Sequence, residues 1–388
     1  MPDLWPVELG PVICVVGARP NFMKIAPILR AFAANQPAIP TLLVHTGQHY
    51  DHEMNDKLFE DLRLPLPDIN LGVGSGSHAV QTAEVMRRFE PVLDDNKPSC
   101  VLVVGDVNST LACTLVAVKK GIPVAHVEAG LRSNDRSMPE EINRILTDQI
   151  ADLLYTTERS AADNLAREGI CLERVRFVGN VMIDSLLNNR ELARSPADSI
   201  RATGANPQII EGTMGYGVVT MHRPSNVDQP EVLTALLKVL REISTSIPLV
   251  FALHPRTKAN IERFGLAEHI DTERMIMLPP QGYLEMLGLM AEARMVLTDS
   301  GGLQEETTAL GIPCLTMREN TERPITVEQG TNTMVGRDVV MIRHHAAETL
   351  SGRGKSGRIP ELWDGHAAER IAADLSEWLL SRHGNEVH

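Results

Sequence analysis

The chain has 388 residues, 43% of them hydrophobic, and a formal net charge of −13. That length favours two domains over a single core. The acidic balance argues against a general binder of nucleic acid or anionic membrane, and no apolar run approaches the length of a membrane span. The opening stretch MPDLWPVELGPVICVV lacks a basic n-region, which predicts no secretory leader. The cysteines Cys14, Cys100, Cys113, Cys171 and Cys314 are scattered and without zinc spacing, and read as reduced core residues of a cytoplasmic protein.

Short β-branched runs alternate with helical patterns along the whole chain. Strands are predicted at 12–16, 41–45, 100–104, 123–127, 153–156 and 175–178, and then at 217–221, 248–253, 275–278, 295–298 and 313–317. Strands alternating with helices predict parallel sheets flanked by helices, an α/β fold. A polar break near 190–213, with Arg194-Ser195-Pro196 and Gly204-Ala205-Asn206-Pro207, predicts a junction between two such domains. The residues following the strands are polar, and ligands of open parallel sheets bind at carboxyl strand ends. The expectation is a ligand held between two domains.

The first strand leads into Gly17-Ala18-Arg19-Pro20-Asn21-Phe22-Met23-Lys24. Arg19 and Lys24 suit a phosphate, although the stretch is neither the dinucleotide fingerprint nor a P-loop. A plain strand-to-helix turn with two surface cations fits the same residues. His45, His49 and His52 are spaced for a metal site only weakly. Gly72-Val73-Gly74-Ser75-Gly76-Ser77 reads as a flexible loop, because Asp68-Ile69-Asn70-Leu71 before it makes a poor buried strand.

Asp106 follows the apolar run 100–104, and Glu128 ends the next predicted strand. Neighbouring parallel strands would bring these carboxylates together. Pro139-Glu140-Glu141 opens a helix in which Glu141 and Arg144 read as a surface pair, leaving Glu140 free to face a ligand. Gathered carboxylates suit proton transfer, while capping and helix-start roles account for Asp106 and Glu140 equally simply. His222-Arg223 follows the strand at 217–221 and is placed for an anion. Thr298-Asp299-Ser300-Gly301-Gly302-Leu303-Gln304-Glu305-Glu306 runs from strand end to helix start, where free N–H groups and two glycines form an anion site suited to a diphosphate. On the simpler reading, Ser300 caps the helix and the glycines only turn the chain.

Taken together, these blocks resemble the non-hydrolysing UDP-N-acetylglucosamine 2-epimerases. The resemblance runs from Gly17-Ala18-Arg19-Pro20 to Gly336. It also includes Gly47-Gln48-His49, Gly105-Asp106, His126-Val127-Glu128-Ala129-Gly130-Leu131-Arg132, Val178-Gly179-Asn180 and Thr321-Glu322-Arg323-Pro324. Each block alone is weak; their order and spacing are specific.

The resemblance implies two Rossmann-like domains of the glycosyltransferase-B type with an interdomain cleft. Domains are expected at 1–188 and 189–365, with a helix near 366–388 returning to the first. It further implies interconversion of UDP-GlcNAc and UDP-ManNAc with no added cofactor and no metal, by anti elimination of UDP to a 2-acetamidoglucal and re-addition. Carried over by motif, Asp106, Glu128, Glu140 and His222 are the catalytic candidates. Arg19, Lys24, Ser300, Gly301, Gly302, Glu306 and Arg323 are the substrate-binding ones. Gln48, Arg223 and His254 match an allosteric substrate site of bacterial relatives. The expected partners are a UDP-sugar and a second copy of the chain, without nucleic acid or membrane. Pro224-Ser225 stands where many relatives read Arg-Glu, and the loop after Gln48 is longer, which predicts weaker homotropic activation. Two alternatives remain at this point: 2-epimerisation of a modified UDP-HexNAc such as a diacetamido uronic acid, and glycosyl transfer on the same fold.

Overall fold

The computed structural model describes residues 5–6, 8–47, 58–212 and 214–386. The chain divides into two compact units, Met1–Asn188 with Glu361–His388, and Asn189–Pro360.

The first unit holds a wholly parallel sheet of β1 (Val12–Val16), β2 (Thr41–His45), β3 (Ile69–Asn70), β4 (Cys100–Val104), β5 (Val124–Ala129), β6 (Leu153–Thr156) and β7 (Val175–Phe177), in the order β3-β2-β1-β4-β5-β6-β7. That order, spreading both ways from β1, is the doubly wound arrangement whose switch point lies between β1 and β4. β1 and β4 are buried at every position, as strands covered on both faces must be. The segment at 68–71 does pair, but only as the two-residue edge strand β3, half-buried at Ile69 and exposed at Asn70.

The second unit repeats the plan with β8 (Gly217–Val219), β9 (Leu249–Ala252), β10 (Met275–Leu278), β11 (Met295–Thr298), β12 (Cys314–Thr316) and β13 (Asn332–Met334), in the order β10-β9-β8-β11-β12-β13. Neighbouring residues alternate between its two faces. Val218, Val250 and Val296 enter one core, while Val219, Phe251 and Leu297 enter the other. The sequence does not predict strand β13, because Asn-Thr-Met carries little apolar signal. The strands at 217–221 and 313–317 are shorter than expected, ending at Val219 and starting at Cys314.

After Pro360 the chain rejoins the first unit. Trp363 Nε1 donates to Thr157 O at 3.1 Å. The Asp184 carboxylate takes the amides of Ala367 and Ala368, at 3.2 and 2.7 Å, and so caps the helix Ala367–Glu386. Tyr155, buried in β6, donates its hydroxyl to Asp374 at 2.8 Å. This last helix packs against Arg19–Ala34, the helix that follows β1.

Candidate active site

In the first unit the turn after β1 is pinned by Asn21. Its Oδ1 accepts the amides of Gly17 and Ala18, and its Nδ2 donates to Val104 O at 2.9 Å. Arg19 opens the helix Arg19–Ala34 and is half-buried. Lys24 is buried, and its Nζ lies 2.6 Å from Glu128 Oε2. The surface-cation reading of Lys24 is therefore incorrect. Here its charge answers a buried carboxylate, which would otherwise be costly to desolvate.

Glu128 sits on a register shift between Val127 and Ala129 of β5, with φ +75, a left-handed conformation in which a bulky side chain is rare. Strained backbone of this kind concentrates at functional sites. The pairing of Val104 with Val127 carries the ends of β4 and β5 side by side. Asp106 lies just past the end of β4, its carboxylate 2.8 Å from Arg144 Nη2 and its carbonyl accepting from Asn143 Nδ2 at 2.9 Å. Gly105 has φ +68, a left-handed conformation that a side chain would strain, and a Cβ there would stand 2.9 Å from Lys24 Nζ.

The Glu141–Arg144 pair is not at the surface. Both residues are buried, and Glu141 also accepts the amides of Ser133 and Asn134 at 3.0 and 2.8 Å. The helix Pro139–Ile150 turns Glu141, Arg144, Thr147 and Asp148 inward, so its buried face is polar. Removing one partner of such a pair costs about 3–5 kcal/mol, against tenths for an exposed one. Glu140 is half-buried at the start of that helix.

In the second unit Asp299 is fully buried after β11 and organises the end of β8. It accepts the amides of His222 and Arg223, at 2.9 and 2.8 Å, and Asn226 Nδ2 at 3.0 Å. Its Oδ1 lies 2.8 Å from His222 Nδ1. Burial alone would raise this carboxyl, but His222 and the backbone amides outweigh it and hold it below the usual range. A carboxylate accepts, so Nδ1 of His222 carries a hydrogen toward Asp299. The His254 ring stands 5.5 Å from that of His222, and its Nδ1 accepts the Arg256 amide at 3.2 Å. Desolvation, followed by repulsion from His222, lowers the His254 pKa.

Ser300 precedes the helix Gly301–Leu310 but makes no side-chain cap, so the capping reading fails. The first-turn amides have no intrahelical acceptor and are available to an anion. A Cβ on Gly301 would lie 2.5 Å from Glu322 Oε1, a group paired with Arg318 at 2.8 Å. Gly302 occupies the next position of that first turn. Arg323 is buried with its Nε 2.9 Å from Glu305. Glu306 is buried beside Tyr283, whose phenol is pushed well up by burial first and by Glu306 second.

Gln48, His49 and His52 lie outside the described residues. Among the described residues no group of three or more His, Cys, Asp or Glu is placed to hold a metal ion. The structure thus pairs Lys24 with Glu128 and sets Asp106, paired with Arg144, past the end of the neighbouring strand in the first unit. In the second it brings together His222, Arg223 and His254, with Ser300, Gly301 and Gly302 one strand away. Sequence reasoning passed over Asp148 and the organising role of Asp299. The spacing Glu141, Arg144, Asp148 on one helix face was the available signal for the former.

The family model for UDP-N-acetylglucosamine 2-epimerase matches residues 32–376. This chain belongs to that family. A UDP-N-acetylglucosamine 2-epimerase of Methanocaldococcus jannaschii is 41% identical over 365 residues, covering 93% of this chain and 98% of the relative. A crystal structure of the M. jannaschii UDP-GlcNAc 2-epimerase in complex with UDP-GlcNAc and UDP is 39% identical. It has a TM-score of 0.84 and covers 94% of this chain and 99% of that one. A UDP-2,3-diacetamido-2,3-dideoxy-D-glucuronate 2-epimerase of Pseudomonas aeruginosa is 40% identical over 371 residues, 94% of this chain and 99% of the relative. Relatives at about 40% identity to this chain thus carry names for more than one UDP-sugar.

Proposed function

We propose that this protein is a non-hydrolysing UDP-GlcNAc 2-epimerase, interconverting UDP-GlcNAc and UDP-ManNAc. The observation that carries the reading is the pair of carboxylates at adjacent strand ends. Glu128 is buried in a left-handed conformation on Lys24, and Asp106 is held by Arg144. Inversion at C2 requires proton transfer on both faces of one carbon, hence two acid/base groups.

In the first half-reaction a carboxylate takes the C2 proton, the C1–O bond to UDP breaks, and a C1=C2 double bond forms. The products are 2-acetamidoglucal and UDP. A second acid returns a proton to the other face of C2, and UDP re-adds at C1. Asp106, Glu128 and Glu140 are assigned to the proton transfers and to the charge at C1. His222, with Nδ1 anchored on Asp299, is assigned to the leaving diphosphate. Ser300, Gly301, Gly302 and the helix start hold the diphosphate, Glu306 takes the ribose, and Arg19, Lys24 and Arg323 supply positive charge near UDP. Arg223 and His254 beside His222, with Gln48, are assigned to a second UDP-GlcNAc site. The described helices include none long and apolar enough to cross a membrane, and the five cysteines are free. We assign a cytoplasmic homodimer, to be checked by light scattering.

The decisive experiment is UDP-GlcNAc alone in heavy water, followed by NMR. A second UDP-HexNAc with deuterium at C2 is expected. Product retaining protium at C2 excludes elimination, and no product without an added acceptor points to a transferase. The P. aeruginosa relative favours one other reading, a diacetamido uronic acid substrate. Comparing kcat/KM for the two UDP-sugars decides between them.

A further inference from the structure

Outside the groups assigned so far, His126 has the most demanding surroundings. It is fully buried in β5. Its Nδ1 lies 2.7 Å from Asp148 Oδ1, and its Nε2 lies 2.8 Å from the carbonyl oxygen of Gly105. A carbonyl oxygen can only accept. Asp148 is an acceptor too, because its ion pair with Arg132 favours the ionised carboxylate. Its other oxygen takes the Gly130 amide at 3.0 Å and Arg132 Nη2 at 2.8 Å. Two acceptors face the two ring nitrogens, so both nitrogens carry hydrogen.

Charge balance agrees. Arg132 also forms a two-pronged pair with Glu168. Asp148, Glu168 and Arg132 by themselves leave one negative charge uncompensated in a largely buried network, and a cationic ring cancels it. Arg174, from the turn at Leu172–Arg174, donates to the Asp148 carbonyl at 3.2 Å.

We propose that His126 is a positioning residue, a buried imidazolium that ties together the turns carrying Asp106 and Glu128; this rests on their assignment to C2 chemistry. The ring holds the first turn through the Gly105 carbonyl, immediately before Asp106. It holds the second through Asp148, which also grips the Gly130 amide, two residues past Glu128. Both turns run through left-handed glycines, Gly105 at φ +68 and Gly130 at φ +79. A neutral ring donates only once and satisfies Gly105 or Asp148, not both.

The test is NMR of the whole protein labelled with ¹⁵N in histidine, at neutral pH and without substrate. One buried ring among the 13 histidines should show two protonated nitrogens, and that signal should vanish in His126→Gln. Its absence from the wild-type spectrum overturns the proposal, whether or not any variant folds. In Asp148→Asn the ring should revert to a single-donor form; a ring that stays doubly protonated also overturns it. In His126→Gln, kcat should fall on the order of 10²-fold, as for misplaced catalytic groups. KM should change far less than kcat, because the helix start at Gly301 and Gly302, to which the diphosphate is assigned, belongs to the other unit. Unchanged kcat, or kcat and UDP affinity lost together, refutes the positioning role. A wild-type protein that exchanges no C2 hydrogen would instead sink the epimerase reading, since the ring state is read without substrate.

Discussion

Replacing Asp299 by Asn tests the second unit where its wiring is densest. The carboxylate serves four donors: the amides of His222 and Arg223, the Asn226 side chain, and His222 Nδ1. An amide of the same shape has only one oxygen. Keeping the Arg223 and Asn226 bonds turns the NH2 toward His222 Nδ1. Two donors then face each other unless the imidazole switches tautomer, which places the hydrogen on Nε2, the nitrogen that should face the diphosphate. The stability loss combines a charge-assisted bond of about 1.5–3 kcal/mol with a buried donor left short by about 1–3 kcal/mol. A total near 3 kcal/mol lowers the midpoint of a domain of this length by roughly 6–12 °C. With His222 in the wrong tautomer, kcat should fall about 10²–10⁴-fold, the range for loss of a positioned acid or base. UDP affinity should change far less, since the helix Gly301–Leu310 is untouched. Calorimetry on UDP, a thermal melt and NMR turnover assays read the three quantities. A variant with wild-type kcat and an unchanged midpoint would refute the account of Asp299 and, with it, the role given to His222.

Amide replacement of Asp106, Glu128 or Glu140 is expected to cost about 10²–10⁴-fold in kcat with UDP binding largely retained; normal turnover in all three would remove the acid/base assignment. Gly302→Val should weaken UDP binding by crowding the first-turn amides of the helix at Gly301 while the protein stays folded, and unchanged affinity by calorimetry would place the nucleotide elsewhere. Asp148 and Asp299 both have carboxyls held low against burial, by His126 and Arg132 and by His222 and the amides respectively. A depressed folded value stabilises fully above the unfolded pKa, near 4, and is lost as pH falls through the folded value. The urea midpoint should therefore decline below about pH 4 and decline less in Asp299→Asn; equal acid loss in both would show that Asp299 adds nothing.

Much of the scaffold was legible because strand cores carry a strong local signal. VICVV and CVLVV are apolar at every position and appear as the fully buried β1 and β4. Edges were less legible. Asn332-Thr333-Met334 became a strand only because β12 offers a partner, and Ile69-Asn70 because β2 does. The site was legible as a list of strand-end residues and not as a set of partnerships. Lys24 reads identically whether it is solvated or bound to Glu128, and Glu141-x-x-Arg144 reads identically on either face of a helix.

The sequence by itself determined the α/β class, the identity of the polar groups following each strand, and the family, because periodicity and motif order are properties of the chain. The tertiary structure alone decided which charges meet. Lys24 joins Glu128, Arg144 joins Asp106, His126 joins Asp148, and Asp299 gathers His222, Arg223 and Asn226. Each partnership links residues distant along the chain, and each holds because burial makes an unanswered charge or hydrogen-bonding group too costly to leave alone. No local pattern encodes that cost; it arises only when the sheet order and strand register set which side chains are enclosed together.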